Sequence, residues 1–140
     1  MCDEFSVDVR NGDTSLKVRA RQAKKLPHIL ITTPESFQLL ICSKGWKKKM
    51  EQVDTIVVDE WHELMGSKRG VQLELCLSAL RFYNSKLKTW GISATIGNLD
   101  EAKNVLIGKH LDGSYVKGKL IKSSTRKQIA VSYTHLTLPT

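Results

Sequence analysis

The chain has 140 residues, the length of one domain, and 41% of them are apolar, which is enough for a buried core. Lys and Arg number 22 against 14 Asp and Glu, and the net charge of +8 indicates either a polyanionic partner or a solvated basic surface. No apolar run approaches the roughly 18 residues of a membrane span, and three widely spaced cysteines favour reduced thiols in a cytoplasm over a disulfide framework.

The first elements are a strand and a basic helix. Residues 5–9 alternate apolar and polar side chains, which is typical of a short strand, and Asn11-Gly12-Asp13-Thr14 ends it. Residues 15–25 contain no Gly or Pro and predict a helix that ends before Pro27. Its expected apolar face is Leu16, Ala20 and Ala23, and its basic face is Lys17, Arg21 and Lys24.

A second strand and helix follow. Residues 28–32 predict a buried strand. Thr33-Pro34-Glu35-Ser36 is a strong helix start, because Thr33 can cap the helix and proline suits its first position. The helix continues over residues 37–42, and residues 43–51 are expected to be a basic loop or a frayed turn.

The middle of the chain places acids at a strand end. Residues 55–58 predict a strand that stops at Asp59-Glu60, with His62 two residues further on. We expect a helical turn over residues 60–65, a loop over residues 66–70 and a helix over residues 71–83. The apolar face of that helix is Leu73, Leu77 and Leu80.

The last elements are again a strand and a helix. Residues 87–92 predict a strand closed by Ser93-Ala94-Thr95, and a turn at residues 97–98 leads to a helix over residues 100–106. Residues 114–116 are a candidate short strand.

Alternating strands and helices predict an α/β fold with a parallel sheet flanked by helices. The apolar strands at residues 29–31 and 55–58 suit burial on both faces. Polar groups follow three strands, at residues 33–35, 59–62 and 93–95. Ligands of such sheets bind at the carboxyl ends of the strands, so we expect these groups to line one site.

The acid pair favours nucleotide hydrolysis. Asp59 would hold Mg²⁺ through water, and Glu60 would orient or deprotonate the attacking water. His62 lies too far along to reach the metal and would sense the γ-phosphate from the side. The alternative is an ordinary helix start, where carboxylates are also favoured.

Several segments resemble one enzyme family. Asp59-Glu60-Trp61-His62 resembles motif II of superfamily 2 helicases (a DExH box), and Ser93-Ala94-Thr95 resembles motif III. Thr33-Pro34-Glu35 looks like motif Ib. Together with residues 11–15, 59–75 and 90–99, these segments are similar to the large helicase-related (Lhr) group, in particular its ligase-associated branch, over residues 5 to 130.

The resemblance implies a RecA-like motor domain of the P-loop NTPase type and a role for each matching residue. His62, Ser93, Ala94 and Thr95 would couple the nucleotide site to strand movement. Nucleic-acid contacts would come from Thr33, Pro34 and Glu35, from Gly12, Asp13 and Thr14, and from Lys68 and Arg69. For Lys68 and Arg69, a solvated loop is the alternative.

The implied ligands are ATP, Mg²⁺ and DNA, as a single strand or a duplex with a 3′ tail, with 3′-to-5′ movement. The implied protein partner is a second RecA-like domain of the same chain, and the implied location is the bacterial cytoplasm, at the nucleoid, without a membrane. An RNA helicase of the same superfamily and a non-catalytic basic binding module are the alternatives.

The phosphate-cradling pattern G-x-x-x-x-G-K-[ST] does not precede Asp59. The near match at residues 113–120 follows Asp59 and has Leu120 where the hydroxyl residue should be. We therefore expect residues 1–130 to be the C-terminal two-thirds of the first motor domain. Residues 131–140 depart from the family and are interpreted as a non-native tail, although their alternation also suits a strand.

Overall fold

The computed structural model describes residues 5–94, 97–110 and 112–122. The strands are β1 (Val7–Arg10), β2 (Ile29–Thr32), β3 (Thr55–Val58) and β4 (Lys88–Gly91). The helices are α1 (Leu16–Lys24), α2 (Pro34–Ile41), α3 (Trp46–Met50), α4 (Trp61–Leu64), α5 (Lys68–Tyr83) and α6 (Leu99–Ile107). Strands and helices alternate as predicted, and none of the helices in these ranges is long and apolar enough to cross a membrane.

The strands pair in parallel, which confirms the predicted α/β class. β1 pairs with β2, with Arg10 opposite Thr32 at the carboxyl end, and β3 pairs with β4, with Val58 opposite Gly91. The pairs form two separate two-stranded sheets, since no ladder joins β2 to β3 within the described residues. Each carboxyl end is followed directly by a loop that carries polar residues.

The core lies where the helices pack against each other and against β3 and β4. α2 lies along α5, and α6 packs on β4. Leu73, Leu77 and Leu80 are buried, as the sequence predicted for this helix. The buried apolar side chains of the core are Phe37, Leu40, Ile41, Met50, Val58, Trp61, Leu73, Cys76, Leu77, Leu80, Ala102 and Leu106.

The prediction that the strands at residues 29–31 and 55–58 are buried on both faces is wrong. Ile29, Ile31 and Val57 are at least half exposed, whereas Val58 is buried. The side chains of a strand alternate between its two faces. In the described part of the chain the apolar side chains of only one face of each strand pair are therefore removed from solvent.

The predicted apolar face of the first helix is also wrong. Leu16 is 84% exposed, and Ala20 and Ala23 are exposed as well, while the fully buried residue of α1 is Gln22. The Gln22 side-chain amide donates to the Val9 carbonyl at 3.1 Å. α1 is therefore attached to β1 through polar contacts, which a search for apolar periodicity does not detect.

Three local predictions need correction. Residues 43–51 contain a short helix, α3, because Trp46 and Met50, four positions apart, turn toward the core. α5 begins at Lys68 rather than at residue 71, since the Ser67 hydroxyl caps it. Residues 114–116 do not form a strand; Tyr115 makes a single antiparallel bridge to Lys109.

Candidate functional site

The acid pair lies directly after β3, as the sequence predicted. Asp59 and Glu60 are both exposed, and the Glu60 N–H donates to Asp59 Oδ1 at 3.0 Å. Glu60 has φ 48° and ψ 45°, and it is the one non-glycine residue with positive φ among the residues described. A left-handed conformation costs such a residue about 1–2 kcal/mol. Strain of this kind is concentrated at functional sites, because other contacts must hold it in place.

His62 connects the acids to the next strand exit. Its Nδ1 atom lies 2.8 Å from the Ser93 hydroxyl and 3.3 Å from a Glu60 carboxylate oxygen, and its Nε2 atom lies 3.2 Å from Glu63. A neutral ring protonated at Nε2 would donate to Glu63 and accept from the Ser93 hydroxyl. The polar groups after β3 and β4 therefore form one cluster, as expected from their positions in a parallel pair.

Trp61 anchors this cluster to the hydrophobic core. Its ring is buried, its indole N–H donates to the Ala102 carbonyl at 2.9 Å, and its backbone N–H donates to the Ile92 carbonyl at 3.0 Å. Gly91 lets the Leu106 side chain of α6 approach the backbone of β4 closely, because a Cβ atom at residue 91 would collide with Leu106 Cδ2. The buried tryptophan thus fixes Glu60 and His62, the residues on either side of it; the Glu60 carboxylate stays exposed and the His62 ring is partly buried.

The side chains of this cluster could supply only some of the ligands of a Mg²⁺ ion. Among the residues described, no group of three or more His, Cys, Asp or Glu side chains could hold a metal ion. Asp59 offers exposed carboxylate oxygens beside Glu60, and Mg²⁺ is commonly bound by one or two carboxylates plus water and substrate phosphates. The residues therefore fit an ion that takes most of its ligands from a nucleotide and from water.

The helix start after β2 is built as predicted, but its polar groups are already engaged. The Thr33 side chain accepts from the Ser36 N–H at 3.3 Å, and Pro34 has no N–H. The Glu35 carboxylate accepts from Arg69 Nε at 2.6 Å. This bond is the main reason that the pKa of Glu35 is lowered, with Glu35's own backbone N–H as the second cause. A phosphate at this helix end would compete with the Thr33 cap.

Lys68 and Arg69 lie in the first turn of α5, not in the loop that the sequence suggested. Both are exposed, and Ser67 caps the helix by accepting from the Gly70 N–H at 3.1 Å. Gly70 is buried against the Leu64 carbonyl, where a Cβ atom would not fit. The short turn after the acid pair is therefore packed tightly onto α5, and Arg69 connects α5 to the start of α2.

The predicted loop at residues 11–14 is held by an arginine that the sequence analysis did not identify. Arg19 donates to the Thr14 carbonyl at 2.8 Å and to the Asn11 and Gly12 carbonyls at 2.9 Å. The Asn11 side chain accepts from the Asp13 N–H and the Thr14 hydroxyl. An arginine five residues after the end of the turn at Thr14 could have been recognised as a candidate to hold this loop.

The structure brings some predicted residues together and leaves others apart. Asp59, Glu60, His62 and Ser93 form one cluster, and Glu35 and Arg69 form a pair. No hydrogen bond or ion pair within the described ranges links either group to the loop at residues 11–14. Thr95 lies outside the described residues, as do residues 131–140, and Ala94 is exposed.

Comparison with known proteins gives one consistent result. The family model described as DEAD/DEAH box helicase matches residues 2–102. The ATP-dependent helicase Lhr-Core of Sulfolobus acidocaldarius is 39% identical over 121 residues, which cover 85% of this chain and 14% of that protein. The Lhr helicase/uracil glycosylase of Escherichia coli is 36% identical over 103 residues, which cover 73% of this chain and 7% of that protein.

A solved structure agrees. The Mycobacterium smegmatis helicase Lhr bound to ssDNA and AMP-PNP matches with a TM-score of 0.68 and 34% identity, over 75% of this chain and 14% of that one. The chain thus spans about a seventh of the length of the first relatives that it matches. These neighbours have a RecA-like fold, so the predicted fold is confirmed.

Proposed function

The chain belongs to the DEAD/DEAH box helicase family, and from this we propose that the full-length protein is an ATP-dependent DNA helicase or translocase that moves 3′ to 5′. Within the family we assign it to the Lhr group, to which its relatives belong. The observation that supports this function best is the cluster that joins Asp59 and Glu60 to Ser93 through His62. The cluster contains the two acids that phosphoryl transfer needs, and the contact of His62 with Ser93 connects these acids to the segment after β4.

In this proposal the two acids have different roles. Asp59 would bind Mg²⁺ through water, and Mg²⁺ would neutralise charge on the transferred phosphoryl group. The Glu60 carboxylate, which is exposed and held by its left-handed backbone, would orient and deprotonate the attacking water. Each role needs an accessible oxygen, and both carboxylates are exposed.

His62 and Ser93 would act as the coupling contact. A change at Glu60 during hydrolysis would be felt by His62, because they are 3.3 Å apart, and His62 would pass it to Ser93. Ser93 begins the segment that follows β4, and Ala94 and Thr95 would extend the same contact. Hydrolysis would then move a segment outside the nucleotide site.

Nucleic-acid contact would lie at the carboxyl end of the other strand pair. The loop Gly12-Asp13-Thr14 follows β1, and Thr33-Pro34-Glu35 follows β2. Backbone N–H groups at a helix start favour phosphates, and a phosphate at the start of α2 would replace the Thr33 cap. Because Glu35 and Arg69 neutralise each other, the pair would position this surface, and Lys68 would supply free charge.

We further propose that residues 1–130 form the C-terminal two-thirds of the first motor domain. The loop that cradles the ATP phosphates and a second RecA-like domain would be supplied by other parts of the protein. This division is consistent with the 14% of the Lhr-Core relative that the chain covers.

The deciding experiment measures ATP hydrolysis by the full-length protein with and without single-stranded DNA. We expect hydrolysis to require Mg²⁺, to rise with DNA and to be lost in Glu60→Gln. Unwinding of duplexes with a 3′ tail, a 5′ tail or an RNA strand then tests polarity and substrate. A basic binding module would bind DNA without hydrolysing ATP, and an RNA helicase would prefer the RNA duplex.

A further inference from the structure

Arg10 is a buried arginine that no acidic residue of the described ranges neutralises. It is the last residue of β1 and is only 8% exposed. Within the described residues, the one hydrogen bond of its guanidinium is a 3.4 Å contact from Nη1 to the side-chain oxygen of Gln22, which is itself fully buried. An arginine stays charged at any ordinary pH, and buried charges in proteins are normally paired. The positive charge of Arg10 therefore has no charged partner in the part of the chain that the structure describes.

A second uncompensated arginine lies nearby. Arg19 donates to three carbonyl groups of the loop at residues 11–14, which satisfies its hydrogen bonds but leaves its charge. Within the described residues, no carboxylate oxygen is within 4.0 Å of Arg10 or Arg19, and Asp8 is taken by Arg21. Burial, and then repulsion from Arg19, lowers the pKa of Arg10.

Part of the Arg10 guanidinium surface is in contact with solvent. No buried side-chain nitrogen or oxygen in the described ranges lacks a hydrogen-bond partner. The Arg10 nitrogens that have no partner in these ranges therefore keep some solvent-accessible surface. Arg10 lies opposite Thr32, whose hydroxyl donates to the Arg10 carbonyl at 2.8 Å, and Thr32 precedes the Thr33 helix cap. The opening is thus at the carboxyl end of β1 and β2.

We propose that Arg10 and Arg19 form a phosphate-binding subsite at this edge, which takes a phosphodiester group of the nucleic-acid strand. The proposal rests on the proposed nucleic-acid function. It adds positively charged side chains to the surface at the carboxyl ends of β1 and β2, where phosphate contacts are otherwise expected from backbone N–H groups. The planar fork of Arg10 matches two phosphate oxygens. Arg19 is a positioning residue here: it shapes the loop and adds positive charge.

The test uses the 140-residue chain with three substitutions at Arg10 and one control. Arg10→Gln and Arg10→Met remove the charge, and Arg10→Lys keeps the charge without the fork. The control is Lys103→Gln, which also removes one positive charge, on α6, where Lys103 contacts Asp100 at 2.9 Å. Fluorescence anisotropy with a dT oligonucleotide gives the affinity over a range of KCl concentrations, and the melting temperature is measured with and without inorganic phosphate.

For a phosphate subsite, Arg10→Gln and Arg10→Met weaken binding about tenfold or more, as for a lost charge-assisted hydrogen bond. They also reduce the salt slope by about 0.7, the value for one phosphate contact on a single strand. Lys103→Gln leaves the slope unchanged, and Arg10→Lys keeps the slope but loses affinity. Inorganic phosphate raises the melting temperature of the wild type and not that of Arg10→Met.

A purely structural Arg10 gives a different pattern. Arg10→Met would then lower the melting temperature in phosphate-free buffer and leave the salt slope as it was, which overturns the subsite. If the wild type binds DNA and all three variants bind it equally, the subsite is wrong and the proposed function stands. If phosphate stabilises the wild type through Arg10 but the oligonucleotide does not bind, the anion site stands and its assignment to a nucleic-acid phosphate is wrong, whereas the function of the full-length protein is tested separately by its DNA-stimulated ATP hydrolysis.

Discussion

The contact between Ser93 and His62 allows a quantitative test of coupling. Ser93→Ala removes the 2.8 Å hydrogen bond to Nδ1, and His62→Ala removes it from the other side. A hydrogen bond of this kind contributes about 1 kcal/mol net, and a double-mutant cycle isolates that amount from the other effects of each change. We expect a coupling energy of about 1 kcal/mol in the unwinding rate, which corresponds to about a fivefold loss in Ser93→Ala.

Hydrolysis should respond much less. Ser93→Ala leaves in place the Glu60 carboxylate, which is the group proposed to act on the attacking water. We expect ATP turnover in the full-length protein to stay within about twofold in Ser93→Ala. The assay measures ATP turnover, unwinding rate and melting temperature on the same preparation.

A matched control separates coupling from stability. Ser43 is also partly buried, and its hydroxyl donates to the Leu40 carbonyl at 2.6 Å, away from the acids. Ser43→Ala should lower the melting temperature without separating unwinding from hydrolysis. If Ser93→Ala gives the same pattern as Ser43→Ala, or if the Ser93 and His62 effects simply add, the coupling role is refuted.

Three further predictions follow from the same residues. In the full-length protein, Glu60→Gln should lower ATP turnover about 10²- to 10⁴-fold with little change in nucleotide affinity. Asp59→Ala should lower turnover and also weaken the binding of Mg²⁺-nucleotide. If both variants change binding and turnover equally, the separate roles assigned to Asp59 and Glu60 are wrong. The 140-residue chain alone should not hydrolyse ATP, because its sequence lacks the phosphate-cradling pattern, and Mg²⁺-dependent turnover by a pure sample would contradict this. The pKa of Glu35 is lowered in the folded state, so its ionised form adds stability above its unfolded pKa, and that stability is lost as the pH falls through the folded pKa. Arg69→Gln should therefore reduce the drop in melting temperature on acidification below about pH 5. If the melting temperature of Arg69→Gln falls with pH as that of the wild type does, the pair adds no stability.

The sequence was sufficient where local chemistry decides the structure. Thr33 and Pro34 determine the start of α2, and the change from an apolar run to Asp59 gives the end of β3 at the correct residue. The sequence was insufficient where the burial of a side chain depends on a partner that is distant in the sequence. Gln22 is buried because β1 offers the Val9 carbonyl and Arg10, and the sequence of α1 contains no sign of either.

The left-handed backbone of Glu60 shows the same limit at the candidate site. A glutamate gives no local signal for positive φ, which glycine and asparagine adopt far more readily. The conformation follows from contacts that are distant in sequence: Trp61 bonds to Ile92 on one side and to Ala102 on the other. These residues are 31 or more positions away, so the pattern of residues 55–65 alone cannot predict the turn.

These contacts also explain why the exposed acids can act as a defined site. An exposed carboxylate on a free loop would sample many positions, and its value in catalysis would be lost. Here the residue after Glu60 is a buried tryptophan that is bonded at both its backbone and its indole, and the residue after that touches Glu60, Glu63 and Ser93. The hydrophobic core therefore holds the polar groups in place without covering them, so Asp59 and Glu60 remain exposed, as the proposed nucleotide hydrolysis requires, and Ser93 remains partly exposed.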